Sequence, residues 1–486
     1  MLFKLRVWNT SGLTFNKNKM NIEQLYTGCL AQGAYYIESN GEAAVIDPLR
    51  ETKQYIDRAA NDGAVIKYIF ETHFHADFVS GHVTLSEQTG APIVYGPTAQ
   101  TGFKSIIAAD GQVFKLGRIT ITALHTPGHT LESTTYLLKD ENGKDHCIFS
   151  GDTLFLGDVG RPDLAQKAKE LTKEDLAGML YDSLRQKIMP LANDVIVYPA
   201  HGAGSACGKN MMKETVDILG NQKQMNYALR EDMTRDEFIL ELTDGLEAPP
   251  AYFPLNVKMN KEGYKNLDDV IKSGSVPLSP AEFERIANVT GAVVLDVRSA
   301  QEFAEGHIPN SIFIGIDGGF APWVGALIQD TQQHILLVTP DGRVAETMTR
   351  LSRVGFDNTI GYLTGGLQAW KDENREVETV VSIAAAQFAA EVTDANYTIP
   401  IYDVRKPAEF ESGHIQGANL APLATLNDHL KSLPVKEPFY VHCAGGYRSM
   451  IAASILKNRG IHNFIEVQGG YGAIKNEDIN LEEGKI

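Results

Sequence analysis

Five places in this 486-residue chain set a chemically capable side chain directly after a short apolar run. His73 follows YIFET, His129 closes ALHTPGH, Asp152 closes CIFSGD and His201 closes VIVYPAH. Such runs read as strands, and strands of a layered sheet that end on one edge deliver their loops to one place. A lone histidine is usually a hydrogen-bonded core residue. Four possible ligands at four strand ends point instead to a metal centre. His75 and Asp77 lie in the same stretch, THFHAD, and the next residue is Phe78, whose ring has no lone pair to give a metal. The fifth place is Cys443 in YVHCAGGYRSMIAAS. An apolar strand stops at the cysteine, a glycine-bearing loop follows, and a helix is predicted to start near Ser449. Such a loop turns backbone N–H groups inward and the helix adds its positive end, which favours a nucleophilic thiolate. Arg448 adds charge to the same cradle.

The elements that must hold these residues fall into three units. Residues 20–250 alternate apolar strands such as AAVIDP, VIKYIF, PIVYG and ITITALH with helices, and 209–245 is charged and helical in pattern. EAPPAYFPLNVKMNKEGY then breaks the pattern as a linker does. The remainder is an internal repeat. LDVRSAQEFAEGHIPNS (295–311) matches YDVRKPAEFESGHIQGA (402–418), so Asp296, Glu302 and His307 recur as Asp403, Glu409 and His414. Each copy alternates strands and helices, which predicts a mostly parallel sheet covered on both faces. The expected division is an N-terminal extension at 1–19 outside the fold, a first domain at 20–255, a linker at 256–274, and repeats at 275–378 and 379–486. The two repeats differ where chemistry is concerned. Aligning Arg343 with Arg448 sets Val338, in ILLVTPDGRVAET, opposite Cys443.

The bulk composition narrows the partners. A net charge of −17 argues against nucleic acid or an anionic membrane, and no apolar run approaches the ~18 residues of a membrane span. The four cysteines are scattered without a Cys-x-x-Cys pair, so neither a disulfide framework nor a zinc knuckle is expected. A reducing, cytoplasmic setting fits. The basic N-terminus makes a poor signal peptide, and Met20 is expected to open the folded part.

THFHAD, TPGHT, SGDTLF and YPAHG resemble the metal motifs of the metallo-β-lactamase superfamily, which implies an αββα sandwich over 20–250. In two-metal members the residues matching His73, His75 and His129 hold one metal. Those matching Asp77, Phe78 and His201 hold the other, with the Asp152 equivalent bridging. Phe78 therefore removes a ligand from the second site. Two imidazoles and one carboxylate, His73, His129 and Asp152, suit non-haem Fe(II), and the persulfide dioxygenase branch of the superfamily uses one iron in this way. GDVGRPDL (157–164) resembles that branch too. His75, Asp77 and His201 then orient ligands or substrate, or His75 serves as a fourth ligand, which suits zinc. Arg161 meets the anionic end of a thiol substrate or pairs with Asp163. Cys207 relays sulfur near the metal or packs as a small residue.

The Cys443 loop and YDVRKPAEFESGHI resemble the rhodanese (sulfurtransferase) family, which implies that Cys443 accepts a sulfane sulfur as a persulfide. The first repeat is then a degenerate rhodanese domain and the second an active one. The expectation for the whole chain is a persulfide dioxygenase–rhodanese fusion for sulfide detoxification, acting as a homo-oligomer. It oxidises a low-molecular-weight persulfide, such as glutathione or coenzyme A persulfide, with O2 to sulfite and thiol, and forms thiosulfate through Cys443. The alternatives are a glyoxalase II-like thioester hydrolase fused to a sulfurtransferase, and a docking scaffold around a lone sulfurtransferase.

Overall fold

Between Asn21 and Ile107, six strands lie side by side in chain order: Asn21–Thr27, Gln32–Ser39, Glu42–Ile46, Val65–Phe70, Ile93–Tyr95 and Ile106–Ile107. A second sheet of six repeats the plan, from Val113–Leu116 through Ile119–His125, Thr134–Lys139, Asp145–Gly151 and Ile196–Pro199 to Asp217–Ile218. The computed structural model describes residues 20–164, 171–246, 248–394, 397–434 and 436–482, so the expected extension at 1–19 lies outside them.

Strand alternation decides what each face meets. Tyr35, Ile37, Phe70 and Val94 of the first sheet and Ile121, Tyr136, Cys147 and Phe149 of the second form one buried cluster between the sheets. The intervening residues Ala34, Tyr36, Val45 and Ile69 face outward against Tyr55 and Ala59 of the helix Lys53–Asp62 and Leu85 of the helix His82–Thr89. The outer face of the second sheet is covered by Leu180 of the helix Lys173–Ser183 and Phe238 of the helix Arg235–Thr243. Both helices start in capping boxes, at Thr172 and Thr234. This is the expected αββα sandwich.

The chain divides into two compact units, Met1–Phe74 with Ser80–Glu247, and His75–Val79 with Ala248–Ile486. The stretch expected as a linker at 256–274 is mostly helical, in Phe253–Glu262 and Leu267–Gly274. Of the three prolines that read as breakers, Pro254 stands in the first helical turn, where a missing N–H costs nothing. Asn260 of the first helix donates from Nδ2 to the carbonyls of His75 and Phe78, both at 2.8 Å.

Each repeat is a five-stranded sheet built from parallel pairs. The same ion pair anchors both. Arg298 clasps Asp296 and donates to the Gly306 carbonyl at 2.9 Å, and Arg405 clasps Asp403 and donates to the Gly413 carbonyl at 2.8 Å. The register corrects the expected alignment of the loops. Val338 pairs with Asp296 as His442 pairs with Asp403, so Thr339, not Val338, stands where the second copy has Cys443. The copies also touch. The Tyr447 hydroxyl donates to the Gly315 carbonyl at 2.7 Å, and the Phe313 N–H donates to Ser454 Oγ at 3.0 Å. No helix among the described residues is long and apolar enough to cross a membrane.

Candidate metal centre and sulfur-transfer site

Four strands of the sandwich end at one edge, where the sheets are tied together. The Thr134 N–H donates to the Thr72 carbonyl at 2.9 Å, and the Gly33 N–H donates to the Ala200 carbonyl at 2.8 Å. The loops leaving this edge bring His73, His129 and Asp152 together, with one ligand atom of each within 4.8 Å of the others. His73 Nε2 lies 3.9 Å and His129 Nε2 3.4 Å from Asp152 Oδ2. All three residues are about 1% exposed.

The other nitrogen of each ring fixes the tautomer. The Arg161 carbonyl, 2.8 Å from His129 Nδ1, can only accept, so Nδ1 holds the proton and Nε2 keeps its lone pair. Thr72 Oγ1 donates to Asp47 Oδ2 at 2.8 Å and is therefore an acceptor for His73 Nδ1 at 3.0 Å. Asp47 also accepts from the Thr72 N–H and holds a left-handed backbone, φ 49°. His201 Nδ1 donates to Asp152 Oδ1 at 2.7 Å, while Asp152 Oδ2 is buried with no hydrogen-bond partner among the described residues. Burial works to raise the Asp152 pKa. Positive charge on the imidazoles of His201, His73 and His129 would outweigh it, as would a cation held in their place, and the His201 hydrogen bond adds to it; together they hold the carboxyl far below the ordinary range. A buried carboxylate oxygen facing two imidazole lone pairs is short of a cation, so the donor set fits a divalent metal.

Gly160 explains the run GDVGRPDL. Its N–H donates to the Asp152 carbonyl at 3.0 Å, and a Cβ there would stand 2.2 Å from that oxygen and 2.9 Å from His129 Nδ1. Only glycine lets the loop pass this close and bring the Arg161 carbonyl to His129. The Arg161 guanidinium is clasped by Asp163 at 2.6 and 2.7 Å. The Arg161 backbone N–H donates to the carbonyl of buried Cys207 at 2.9 Å. His75, Asp77 and Phe78 are buried on the stretch that groups with the second unit, and the His75 and Phe78 rings lie 4.3 Å apart. Burial pushes the Cys147 thiol up, as a core residue requires, and none of the four cysteines is in a disulfide. Asp47, Thr72 and Gly160 were missed as parts of the site. A carboxylate ending the strand AAVI was the available signal for Asp47.

In the second repeat, Cys443 follows the strand Phe439–His442 and is 1% exposed. The Gly446 N–H points at its sulfur from 3.2 Å, and Ser449 Oγ lies 3.5 Å away. The helix Tyr447–Asn458 starts two residues before Ser449, because Gly446 at φ 95° turns the chain into it. Gly470, at φ 53°, backs the loop so closely that a Cβ would meet the Cys443 carbonyl at 2.2 Å. Arg448 holds Glu409 through two bonds of 2.6 and 2.8 Å. This pairing is the main cause that lowers the Glu409 pKa to about 2.

The family described as Metallo-beta-lactamase superfamily matches residues 27–201, and the Rhodanese-like domain matches 279–373 and 384–477. The chain is 30% identical over 216 residues to the mitochondrial persulfide dioxygenase ETHE1 of Bos taurus, covering 43% of this chain and 73% of that protein. It is 32% identical over 178 residues to a cytoplasmic hydroxyacylglutathione hydrolase of Arabidopsis thaliana, covering 36% of this chain and 65% of the hydrolase's length. A metallo-beta-lactamase crystal structure from Staphylococcus aureus superposes with a TM-score of 0.62 at 30% identity, covering 71% of this chain and 98% of that one. With this sandwich, this buried donor set and this duplicated sheet, the chain belongs to the metallo-beta-lactamase superfamily, has persulfide dioxygenases among its homologues, and carries two rhodanese-like domains.

Proposed function

We propose that the chain oxidises a low-molecular-weight persulfide with O2 to sulfite and thiol, using one Fe(II) per chain, and transfers sulfane sulfur through Cys443. The observation that carries this reading is the group His73, His129 and Asp152, two imidazoles and one carboxylate on a single buried spot. These three would hold the iron. When bound, the iron supplies the one-electron chemistry that lets O2 react with sulfur. The chain's own residues do the rest. Arg161 and Thr72 keep Nε2 of each histidine deprotonated, His201 aims the carboxylate, and burial keeps bulk water from the donors. Asp163 pairs with Arg161 and fixes the guanidinium, which we set beside the anionic end of the thiol substrate.

Cys443 takes the outer sulfur of a donor as a persulfide and passes it to sulfite, giving thiosulfate. Residues 20–255 are proposed as the dioxygenase domain, 275–378 as the degenerate rhodanese domain and 379–486 as the active one. A shared chain raises the effective concentration of one domain's product at the other. The likeness to the Arabidopsis hydrolase favours a second reading, thioester hydrolysis with zinc. Metal analysis of anaerobically purified protein, with oxygen uptake on glutathione persulfide, separates the two. About one iron per chain and persulfide-dependent uptake support the proposal. Two zinc ions per chain, thioesterase activity and no oxygen uptake would sink it.

A further inference from the structure

A chain of side chains leads away from the Cys443 sulfur. Ser449 Oγ, 3.5 Å from the sulfur, donates to Glu466 Oε1 at 2.7 Å, and the other Glu466 oxygen accepts from the Ser382 hydroxyl. Glu466 is 2% exposed and makes no ion pair among the described residues. It nevertheless borders a cavity of about 680 Å³ at the mouth of the cysteine loop, lined also by Gln301, Glu305, Ser382, Gly446 and Gln468. The first repeat lacks every member of this chain. Tyr362 pairs with Pro277 as Glu466 pairs with Ser382, and the first turn of the helix Val344–Arg353 holds no serine where the second copy has Ser449. The copy without the cysteine has no use for the other three groups.

A buried, unpaired carboxylate needs a reason. We propose that Ser449 and Glu466 form a proton path for Cys443: the thiol proton passes through the Ser449 hydroxyl to the Glu466 carboxylate, and Glu466 returns it across the cavity to the thiolate leaving the sulfur donor. This rests on Cys443 being the sulfur acceptor. The exchange balances without a co-reactant. Cys443–SH and R–S–S⁻ give Cys443–S–S⁻ and R–SH. The donor's S–S bond breaks with its electron pair going to R–S, a new S–S bond forms at Cys443, and the proton moves from one thiol to the other. The geometry allows both ends of the transfer. With Glu466 ionised, Ser449 donates to it and accepts from the thiol. With Glu466 protonated, it donates to Ser449, which donates to the thiolate. Burial raises the Glu466 pKa against the opposing hydrogen bonds of Ser382 and Ser449, so the carboxyl is suited to hold a proton. The other charged or titratable groups around the pair are Arg448 with Glu409, His442 beside Asp403 and Arg405, and Glu305 on the cavity wall.

The test uses the full chain and two donors that differ in what leaves. A thiolate leaving glutathione persulfide needs a proton, whereas sulfite leaving thiosulfate is a stable anion. In single-turnover loading of Cys443, Glu466→Gln should slow transfer from glutathione persulfide by about 100-fold or more, the scale of one positioned acid–base group. Transfer from thiosulfate should slow less, because there only the deprotonation of the Cys443 thiol, and not the protonation of a leaving thiolate, is lost. Ser449→Ala should give the same donor dependence and stands in should Glu466→Gln not fold. Iodoacetamide labelling of the Cys443 peptide against pH should follow two linked ionisations in wild type and one in Glu466→Gln. Equal slowing with both donors, no slowing, or the same labelling profile in both proteins overturns the path. Should wild type take sulfur from neither donor, the acceptor reading falls, and the labelling profile alone decides the proton path.

Discussion

The Tyr447 hydroxyl, four residues past the cysteine, ends on the Gly315 carbonyl of the other repeat at 2.7 Å. The cysteine-less copy therefore grips the first turn of the helix that follows the reactive loop, and Gly318 sits so close to the Tyr447 ring that a Cβ would stand 2.3 Å from it. This gives the cysteine-less copy a physical task. Tyr447→Phe should lower stability by about 1 kcal/mol, the usual net worth of one such bond. It should also loosen loading of Cys443 without changing metal content. Thermal unfolding and metal analysis of the same preparations check both; an unchanged loading rate would make the contact a packing detail.

The two chemistries should come apart cleanly. His129→Ala should lose most metal and all persulfide-dependent oxygen uptake, and keep sulfur transfer from thiosulfate. Cys443→Ser should keep metal and oxygen uptake and lose transfer, since a hydroxyl stays protonated at neutral pH. Its product from persulfide and oxygen should shift from thiosulfate toward sulfite. Loss of both activities in either variant would contradict separate sites.

Gly160→Ala tests the support beneath the metal donors. The added methyl meets the Asp152 carbonyl and His129 Nδ1, so the loop must retreat and take the Arg161 carbonyl with it. Losing such an orienting partner typically costs 10- to 100-fold in metal affinity. Titration with a chelator should show a fall of about that size, with secondary structure unchanged by circular dichroism. A wild-type affinity would mean the loop yields without moving the histidine.

Placing a cysteine in the first repeat should not wake it. The residue to change is Thr339, and Thr339→Cys meets Pro340 next in line, which has no N–H to turn toward the sulfur. Mass spectrometry after persulfide treatment should find no stable added sulfur on that copy.

The Arg448–Glu409 pair sets an acid limit. The ordinary Glu409 pKa is 4.5 and the folded one is about 2, so the pair contributes fully above 4.5 and its contribution is lost as pH falls toward about 2. Glu409→Gln should unfold at lower temperature than wild type at pH 7, and the two melting curves should converge near pH 2. Parallel curves throughout that range would show that the pair adds nothing to stability.

Much of this was legible in the sequence because the signals were local. Apolar runs ending in His73, His129, Asp152 and His201 told where strands stop, and a cysteine before glycines told of a cradle. What was hidden depends on partners far along the chain. Asp47 meets Thr72 only once two strands pair, and Glu466 meets Ser449 only after a helix folds back over a sheet. Val338 was misplaced by one residue because the loops differ in length while the arginines look alike. The backbone pairing of Asp296 and Asp403 sets the true register. The proline of 253–262 misled because its position in a helix, not its presence, decides whether it breaks one.

The twin clasps, Arg298 on Asp296 and Arg405 on Asp403, turn the duplication into an experiment the gene has already run. One copy has no cysteine in its loop and still folds to the same sheet; the other carries the cysteine as well. Whatever the idle copy still keeps belongs to architecture, and the paired arginine and aspartate fall on that side of the line. Whatever it has let go, the cysteine first among them, marks the parts that must be carried over together if the reactive loop is ever transplanted onto another sheet.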